Sequence, residues 1–471
     1  MTGEQVFPLG SKDRPLQVAI VGSGPAGFYA ADALLRREDL TVQIDLYDRL
    51  PTPYGLVRFG VAPDHPKIKA VIRVYERIAA SRHFRFFGNV DVGSDLSVQE
   101  LRKHYDQIVY AVGCETDRRL GIPGEDLQGS HTATEFVAWY NSHPDYIERS
   151  FDLSHKCAAV VGVGNVAMDV TRILAKDQDE LVQTDIAGYA LEALRKGQVE
   201  EVVILARRGP QQAAFSLNEI KEIGSLTGVD LVVDPKEMEL DEASKASGGK
   251  QGRQKVEYLT EKSKAGEGSQ RRKVRLRFCV SPVEILGENG RVTAVKIEKN
   301  ELYLDETGDI RSRGTGQYEV LPVGLIFRSI GYQGVPLPGV PFDQKRGIIC
   351  NQEGRVTDSV SGQIVPNEYA VGWTKRGPTG LIGTNKSDSA ATVEKMLEDI
   401  EGKSAKVDLE KRPEAVDRML AGKKLQVVTF EDWKLLDRHE VEAGKRLGKV
   451  REKLLTVSAM LEVIEKGQQR H

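Results

Sequence analysis

The chain has 471 residues, 40% apolar and 29% charged, an ordinary globular composition long enough for two or three cores and incompatible with a wholly disordered or collagen-like chain. Its formal net charge of −3 lacks the basic excess of a general nucleic-acid binder, and no apolar run approaches the roughly 18–20 residues of a membrane span. The four cysteines, Cys114, Cys157, Cys279 and Cys350, form no CxxC and no cluster, which excludes a disulfide framework, a cysteine-held iron–sulfur cluster and a zinc ribbon and reads as buried thiols of a reducing compartment.

The N-terminal MTGEQVFPLGSKDRP carries neither an apolar signal core nor an Arg-rich amphipathic pattern, so a cytoplasmic location is expected, with a processed mitochondrial matrix protein as the alternative. The histidines include no HExxH, and no metal site is expected. What remains to be placed is the glycine, 46 residues of it.

From Leu16 to Gly27 the sequence is LQVAIVGSGPAG, a Val/Ile-rich run that reads as a buried parallel strand entering a glycine turn. FYAADALLRR follows at helical spacing, then VQIDLYD from Val42 to Asp48 as a second strand. Gly22, Gly24 and Gly27 thus form a GxGxxG turn between strand and helix. Gly22 permits the tight turn, Gly24 admits a pyrophosphate, and Gly27 lets helix and strand pack closely. The helix N-terminus offers free N–H groups and a positive dipole end to phosphates. Asp48, at the end of the second strand, suits ribose hydroxyls, as in FAD or NAD binding.

Tyr105 to Gly113, YDQIVYAVG, reads as a strand leading to IPG at Ile122–Gly124, a crossing between domains. The fingerprint then recurs. CAAVV from Cys157 is a strand, GVGNVAMDVTRILA supplies Gly162, Gly164 and Ala167 in a GxGxxA variant, and VVILA from Val202 is the next strand. Where the first unit has Asp48, this one has Arg207 and Arg208. Two guanidiniums attract a 2′-phosphate that a carboxylate would repel. Residues 177–198 read as an inserted helical segment. Residues 235–275, poor in large apolar residues, read as a mobile surface excursion. Between Lys250 and Arg277 ten Lys or Arg face three Glu, a local 10 − 3 = +7, which is either a solvated face or a docking patch for an acidic partner. EYAVGW from Glu368 is a late strand, and RGPTGLIGT with Gly377, Gly380 and Gly383 opens a final helical run.

The expected fold is therefore α/β: two nested Rossmann-like dinucleotide-binding domains with parallel sheets, residues 1–118 and 336–471 for FAD and 119–335 for NADPH.

The segments IVGSGPAGFYAADALL, YDRLPTPYGLVRFGVAPDHPKIK, FFGNVDVG, IPGEDL, GVGNVAMDVTRILA, ARRGPQQAAFSLNEIKEI, SIGY and GWTKRGPTGLIGTNKSDS cover nearly the whole chain, and in them it resembles the adrenodoxin reductase-type ferredoxin–NADP reductases. GLVRFGVAPDHP and RRGPQQAAF are much more specific than a general dinucleotide fingerprint. The resemblance implies an FAD enzyme that takes hydride from NADPH and passes single electrons to an acidic ferredoxin of the 2Fe–2S or a related type, acting as a monomer. It implies FAD contacts at Ala26, Asp48, Leu56, Val92, Trp373, Leu381 and Ile382, beside the Gly22–Gly27 turn. It implies NADPH contacts at Val163, Gly164, Asn165, Val166, Arg207, Arg208, Glu219 and Gly380. His65 and Glu222 match positions near the flavin ring and are the candidate catalytic residues. Asp48 departs from the family's commoner Glu, and 235–275 aligns poorly.

A disulfide-reducing flavoprotein would need a redox cysteine pair, and the nearest cysteines are 43 residues apart. A flavin monooxygenase would show an FxGxxxH-type segment, which LQGSH at Leu127–His131 does not match. An NADPH diaphorase or redox-sensing flavoprotein without a dedicated ferredoxin stays open as the alternative.

Overall fold

The computed structural model describes residues 6–247 and 249–469. Strand Leu16–Val21 is buried at every position because it lies between two parallel neighbours, Gln107–Tyr110 and Val42–Tyr47, which explains a continuous apolar run in place of an alternating one. It belongs to a seven-stranded sheet in the order Asn351–Gln352, Arg355–Thr357, Ile364–Ala370, Gln107–Tyr110, Leu16–Val21, Val42–Tyr47, Phe84–Phe87. The last five are mutually parallel and the first two form an antiparallel edge. Helix Pro25–Leu35 opens with proline in its first turn, where the missing N–H costs nothing. Its Phe28 stacks on Tyr75 at 4.8 Å, and the Ser389 hydroxyl of helix Thr384–Glu398 donates to the Ala26 carbonyl at 3.0 Å.

A second, six-stranded sheet is parallel throughout, in the order Val229–Val233, Arg272–Arg277, Glu201–Leu205, Cys157–Val161, Leu325–Arg328, Ser130–Thr132. Three long antiparallel strands, Val280–Glu288, Arg291–Leu304 and Ile310–Pro322, pack beside it. The chain passes from the first sheet to the second and back through Thr116–Asp117 and Tyr332–Gln333, and these two segments pair antiparallel with each other.

Two expectations are corrected. The described part of 235–275 is not a loop without elements of its own. It holds a 15-residue helix, Lys250–Lys264, and leads into strand Arg272–Arg277 in the interior of the six-stranded sheet. Few apolar residues suffice, because Leu259, Val274 and Leu276 are fully buried, and Ser244, Lys255 and Ser263 are buried beside them while most other polar positions face out. The local +7 is also partly matched by acids outside the run. Arg271 pairs with Glu200, Arg275 with Glu201, and Arg277 with Glu237 and Glu319. The Lys255 ammonium is buried on the Ala213 carbonyl. The cysteines, in turn, are all free, but only Cys114 is fully buried. Burial raises all four thiols, Cys114 and Cys157 to about 12 and Cys279 to about 11, so none is a ready thiolate.

Residues 177–198 are helical as expected, at Gln178–Leu181 and Gly188–Lys196. At the C-terminal end, helix Phe430–Arg446 lies on the first unit, where Trp433 donates to the Tyr54 hydroxyl at 3.3 Å. The following segment crosses to the second unit, with Val450 N–H donating to the Gln183 carbonyl at 3.2 Å.

Candidate functional site

The three glycines of the first turn do different work. Gly22 has φ +108°, and a Cβ there would lie 2.5 Å from the Ala111 carbonyl oxygen; at Gly27 it would lie 2.1 Å from the Gly22 carbonyl oxygen. Both are demanded by the chain's own packing. At Gly24 a Cβ would meet nothing within 4 Å, so its bareness leaves room over the helix N-terminus for an anionic group. Asp48 turns inward: its carboxylate accepts from the N–H of Ser23 at 3.1 Å and of Leu50 at 2.9 Å, and from the Ser23 hydroxyl. Burial pushes its pKa up against these hydrogen bonds.

These residues open onto a cavity of about 690 Å³, in the usual range for a cofactor site. Gly22, Gly24, Ala26, Asp48, Leu56, Val92, Trp373, Leu381 and Ile382 all line it. Gly27 is buried and Gly380 exposed, and neither lines it. The residues fit a flavin dinucleotide, for the Trp373 indole N–H is buried and has no hydrogen-bond partner among the described residues, a donor turned to a polar ligand edge. The Trp373 ring lies 5.1 Å from that of Tyr332. The other wall comes from the second unit: Thr134, Val137 and Ala138 of helix Ala133–Tyr140, and Tyr332. The sequence reading missed these, although SIGY, which ends in Tyr332, was the available signal. Loop residues Tyr54 and Gly55, with φ +88° and +48°, fold against the glycine turn, leaving only 3.0 Å between a Gly55 Cβ and the Gly24 Cα.

The second turn repeats the logic. A Cβ at Gly162 (φ +120°) would lie 2.1 Å from the Ser329 carbonyl oxygen, whereas one at Gly164 would meet nothing within 4 Å. Ala167 is fully buried in the third position. The Phe215 N–H donates to the Val163 carbonyl at 2.7 Å, and the Ser216 N–H to Asn165 Oδ1 at 3.0 Å, so the segment after Arg207–Arg208 folds back over Val163–Val166. Arg207 is exposed and Arg208 half-buried. Burial, Arg207 and Arg311 depress the Arg208 pKa and Asp309 opposes them; Arg311 is already paired with Asp305 and Asp309, so the repulsion an anion would relieve here is that between Arg207 and Arg208. The antiparallel strands fix this end: Asn300 Nδ2 donates to the Arg207 carbonyl at 2.9 Å.

Between the two turns lies a charged junction. His65 Nε2 is 2.9 Å from Glu222 Oε2. Behind it Arg172, 2% exposed at its side chain, donates to Asp64 at 2.8 and 3.0 Å, to Asp169 at 2.6 Å and to Glu219 at 3.1 Å. Burial would raise Asp64, but the hydrogen bonds and charge of Arg172 outweigh it and hold the carboxyl at about 2. At Asp169 and Glu219 burial prevails and the pKa is raised. His65, Asp169 and Glu219 are close enough to share a cation, and the Arg172 guanidinium is the cation they share. Glu219 is therefore joined to the His65–Glu222 pair. None of these residues lines the large cavity.

Two glycine turns of opposite electrostatic character, one deep cavity walled by both units and a charged junction between them define an oxidoreductase with two dinucleotide sites. Residues 16–209 match the family described as pyridine nucleotide-disulphide oxidoreductase. Over 455 residues the chain is 47% identical to the NADPH-ferredoxin reductase FprA of Mycobacterium leprae, covering 95% of this chain and 98% of that protein. It is 41% identical over 473 residues to the mitochondrial NADPH:adrenodoxin oxidoreductase of Arabidopsis thaliana, covering 96% of each. The solved structure of Mycobacterium tuberculosis FprA in complex with NADPH matches with a TM-score of 0.91 at 45% identity, over 96% of this chain and all of that one. The chain belongs to the ferredoxin–NADP reductase family of the adrenodoxin reductase type.

Proposed function

We propose that the protein oxidises NADPH and passes the electrons singly to an acidic 2Fe–2S ferredoxin, acting as a monomer, with residues 1–118 and 336–471 holding FAD and 119–335 holding NADPH. The observation that carries this reading is the pairing of two open glycine turns with opposite strand ends, Asp48 in one unit and Arg207–Arg208 in the other. The four free cysteines, all with raised pKa, favour a reducing compartment, the cytoplasm, and an external electron acceptor over an internal disulfide.

Gly24 and the N–H groups at the start of helix Pro25–Leu35 would receive the FAD pyrophosphate, Asp48 a ribose, and Trp373 a polar ring edge. Bound FAD supplies a hydride acceptor that can release electrons one at a time. Gly164, Asn165 and Val166 would hold the NADPH pyrophosphate and the two arginines its 2′-phosphate. Hydride transfer needs two rings held roughly 3–3.5 Å apart and no covalent nucleophile, so the protein's task is positioning. His65 and Glu222 share a hydrogen bond that can orient the nicotinamide end and carry a proton, and Arg172 lies behind both, 3.5 Å from His65 Nδ1 and 3.7 Å from Glu222 Oε2.

The test is a visible spectrum of the purified protein during anaerobic titration with NADPH, followed by cytochrome c reduction with and without a 2Fe–2S ferredoxin. A flavin band that bleaches, and reduction that depends on ferredoxin, are expected. Bleaching without ferredoxin dependence would leave the diaphorase reading in its place.

A further inference from the structure

Away from both turns, the Lys453 ammonium is enclosed among four acceptors from different parts of the chain. Its side chain is 1% exposed. Nζ donates to the Arg58 carbonyl at 3.0 Å, to the Asn141 carbonyl at 3.1 Å and to its Oδ1 at 3.5 Å, and it lies 3.0 Å from Asp185 Oδ2. Asp185 also accepts from Lys69 at 2.6 and 2.7 Å. Arg58 pairs with Glu440 at 2.6 Å, and Glu440 in turn takes Arg451 at 3.1 Å and the Leu454 N–H at 3.0 Å. Beside them Lys449 donates to the Ile186 carbonyl at 2.7 Å and pairs with Glu452.

The acceptors identify what is being joined. Arg58 belongs to the short helix Leu56–Phe59, whose Leu56 and Phe59 form the first unit's wall of the flavin-type cavity. Asn141 caps helix Ala133–Tyr140, whose Val137 and Ala138 form the second unit's wall. Asp185 belongs to the second unit, between helices Gln178–Leu181 and Gly188–Lys196. Lys453 itself sits 5.9 Å from the centre of the Phe59 ring. Burial drives its pKa down to about 7; Asp185 opposes that fall, and Lys69 and Arg58 add to it. Holding a cation here is costly, and an apolar contact between the walls would avoid the cost. Only a multidentate donor can tie two backbone carbonyls and the Asp185 carboxylate, from three separate segments, at once.

We propose that Lys453 is a positioning residue for hydride transfer: from the C-terminal segment it bolts together, at their backs, the two walls of the flavin cavity that the two units contribute. Lys453 does not itself line that cavity. This deepens the function proposed above and rests on the cavity being the flavin site.

The experiment compares the FAD-loaded wild type with Lys453→Met and Asp185→Asn, by amide hydrogen exchange and by stopped-flow flavin reduction. Exchange should rise about fivefold or more in both 56–60 and 137–143 and stay unchanged at 162–166. The limiting rate of flavin reduction should fall about tenfold while half-saturating NADPH stays within about twofold. Wild-type exchange in either wall overturns the proposal. So does loosening that extends to 162–166, or an effect on NADPH half-saturation alone. If Lys453→Met does not fold, Asp185→Asn carries the same expectations, and wild-type exchange and rate in that variant overturn the idea. The exchange readout is independent of the electron acceptor, so failure of the flavin reading appears separately, as a wild type without a flavin spectrum.

Discussion

Nε2 of His65 lies 2.9 Å from Oε2 of Glu222, across a sequence gap of 157 residues. His65 enters from the first unit, and Glu222 from helix Leu217–Ile223 of the second. The hydrogen bond therefore exists only when the two units are correctly docked. His65→Gln and Glu222→Gln should each lower the limiting rate of flavin reduction by NADPH about 10- to 100-fold, with flavin content unchanged. Stopped-flow absorbance gives the rate, and wild-type rates in both variants would remove these residues from the mechanism.

Arg207 and Arg208 should govern the choice between NADPH and NADH. Arg207→Ala removes one charge-assisted partner of the 2′-phosphate, and half-saturating NADPH should rise about 10- to 100-fold. NADH should change little. Steady-state diaphorase assays with both nucleotides check this, and equal effects on the two would sink the 2′-phosphate assignment.

Gly24 and Gly27 should fail differently. Gly27→Ala drives a methyl into the Gly22 carbonyl, 2.1 Å away, and should lower thermal stability or prevent folding. Gly24→Ala meets no protein atom within 4 Å, so Tm should hold while FAD is lost from the purified protein. Calorimetry of the apoproteins and flavin absorbance separate the two outcomes.

Arg172→Met should destabilise the protein by about 3–5 kcal/mol, the usual result of leaving buried carboxylates without their partner. Asp169 and Glu219 already have raised pKa, so they protonate first as pH falls, and the loss should be smaller near pH 5 than near pH 8. Asp64 in the wild type has the opposite sign. Its pKa is lowered to about 2, so the stability it contributes is present above the ordinary carboxylate value near 4 and is lost as pH falls through about 2. Asp64→Asn should flatten the acid limb of a denaturant-midpoint-against-pH curve.

Both turns were legible because their requirements are local. A strand, three small residues and a helix start lie within a dozen positions, and the charge at the next strand end follows 26 residues after Gly22 in the first unit and 45 after Gly162 in the second. His65 and Glu222 were named through family resemblance, since nothing in their spacing brings them together. Arg172 escaped notice because its partners come from three segments. Residues 235–275 misled because a polar composition was read as lack of structure. Helix Lys250–Lys264 needs only one apolar face, and Val274 and Leu276 bury their strand from alternate positions. Nothing in composition or spacing singles out Lys453, for a lysine that ties two units together has the same kind of letters around it as one in water.

The antiparallel rung of Thr116–Asp117 against Tyr332–Gln333 sets the grammar of the whole chain. The second unit leaves and rejoins its host at one point, so its two ends lie side by side and the host sheet sees only a short gap. The insert can vary in size without stretching the sheet that carries it. The same rung makes the two covalent connections one ribbon, which twists far more readily than it lengthens. The ribbon alone therefore resists separation of the units more than their rotation, and the extended segment around Val450–Lys453, which reaches from the first unit to the second, ties them at a second place.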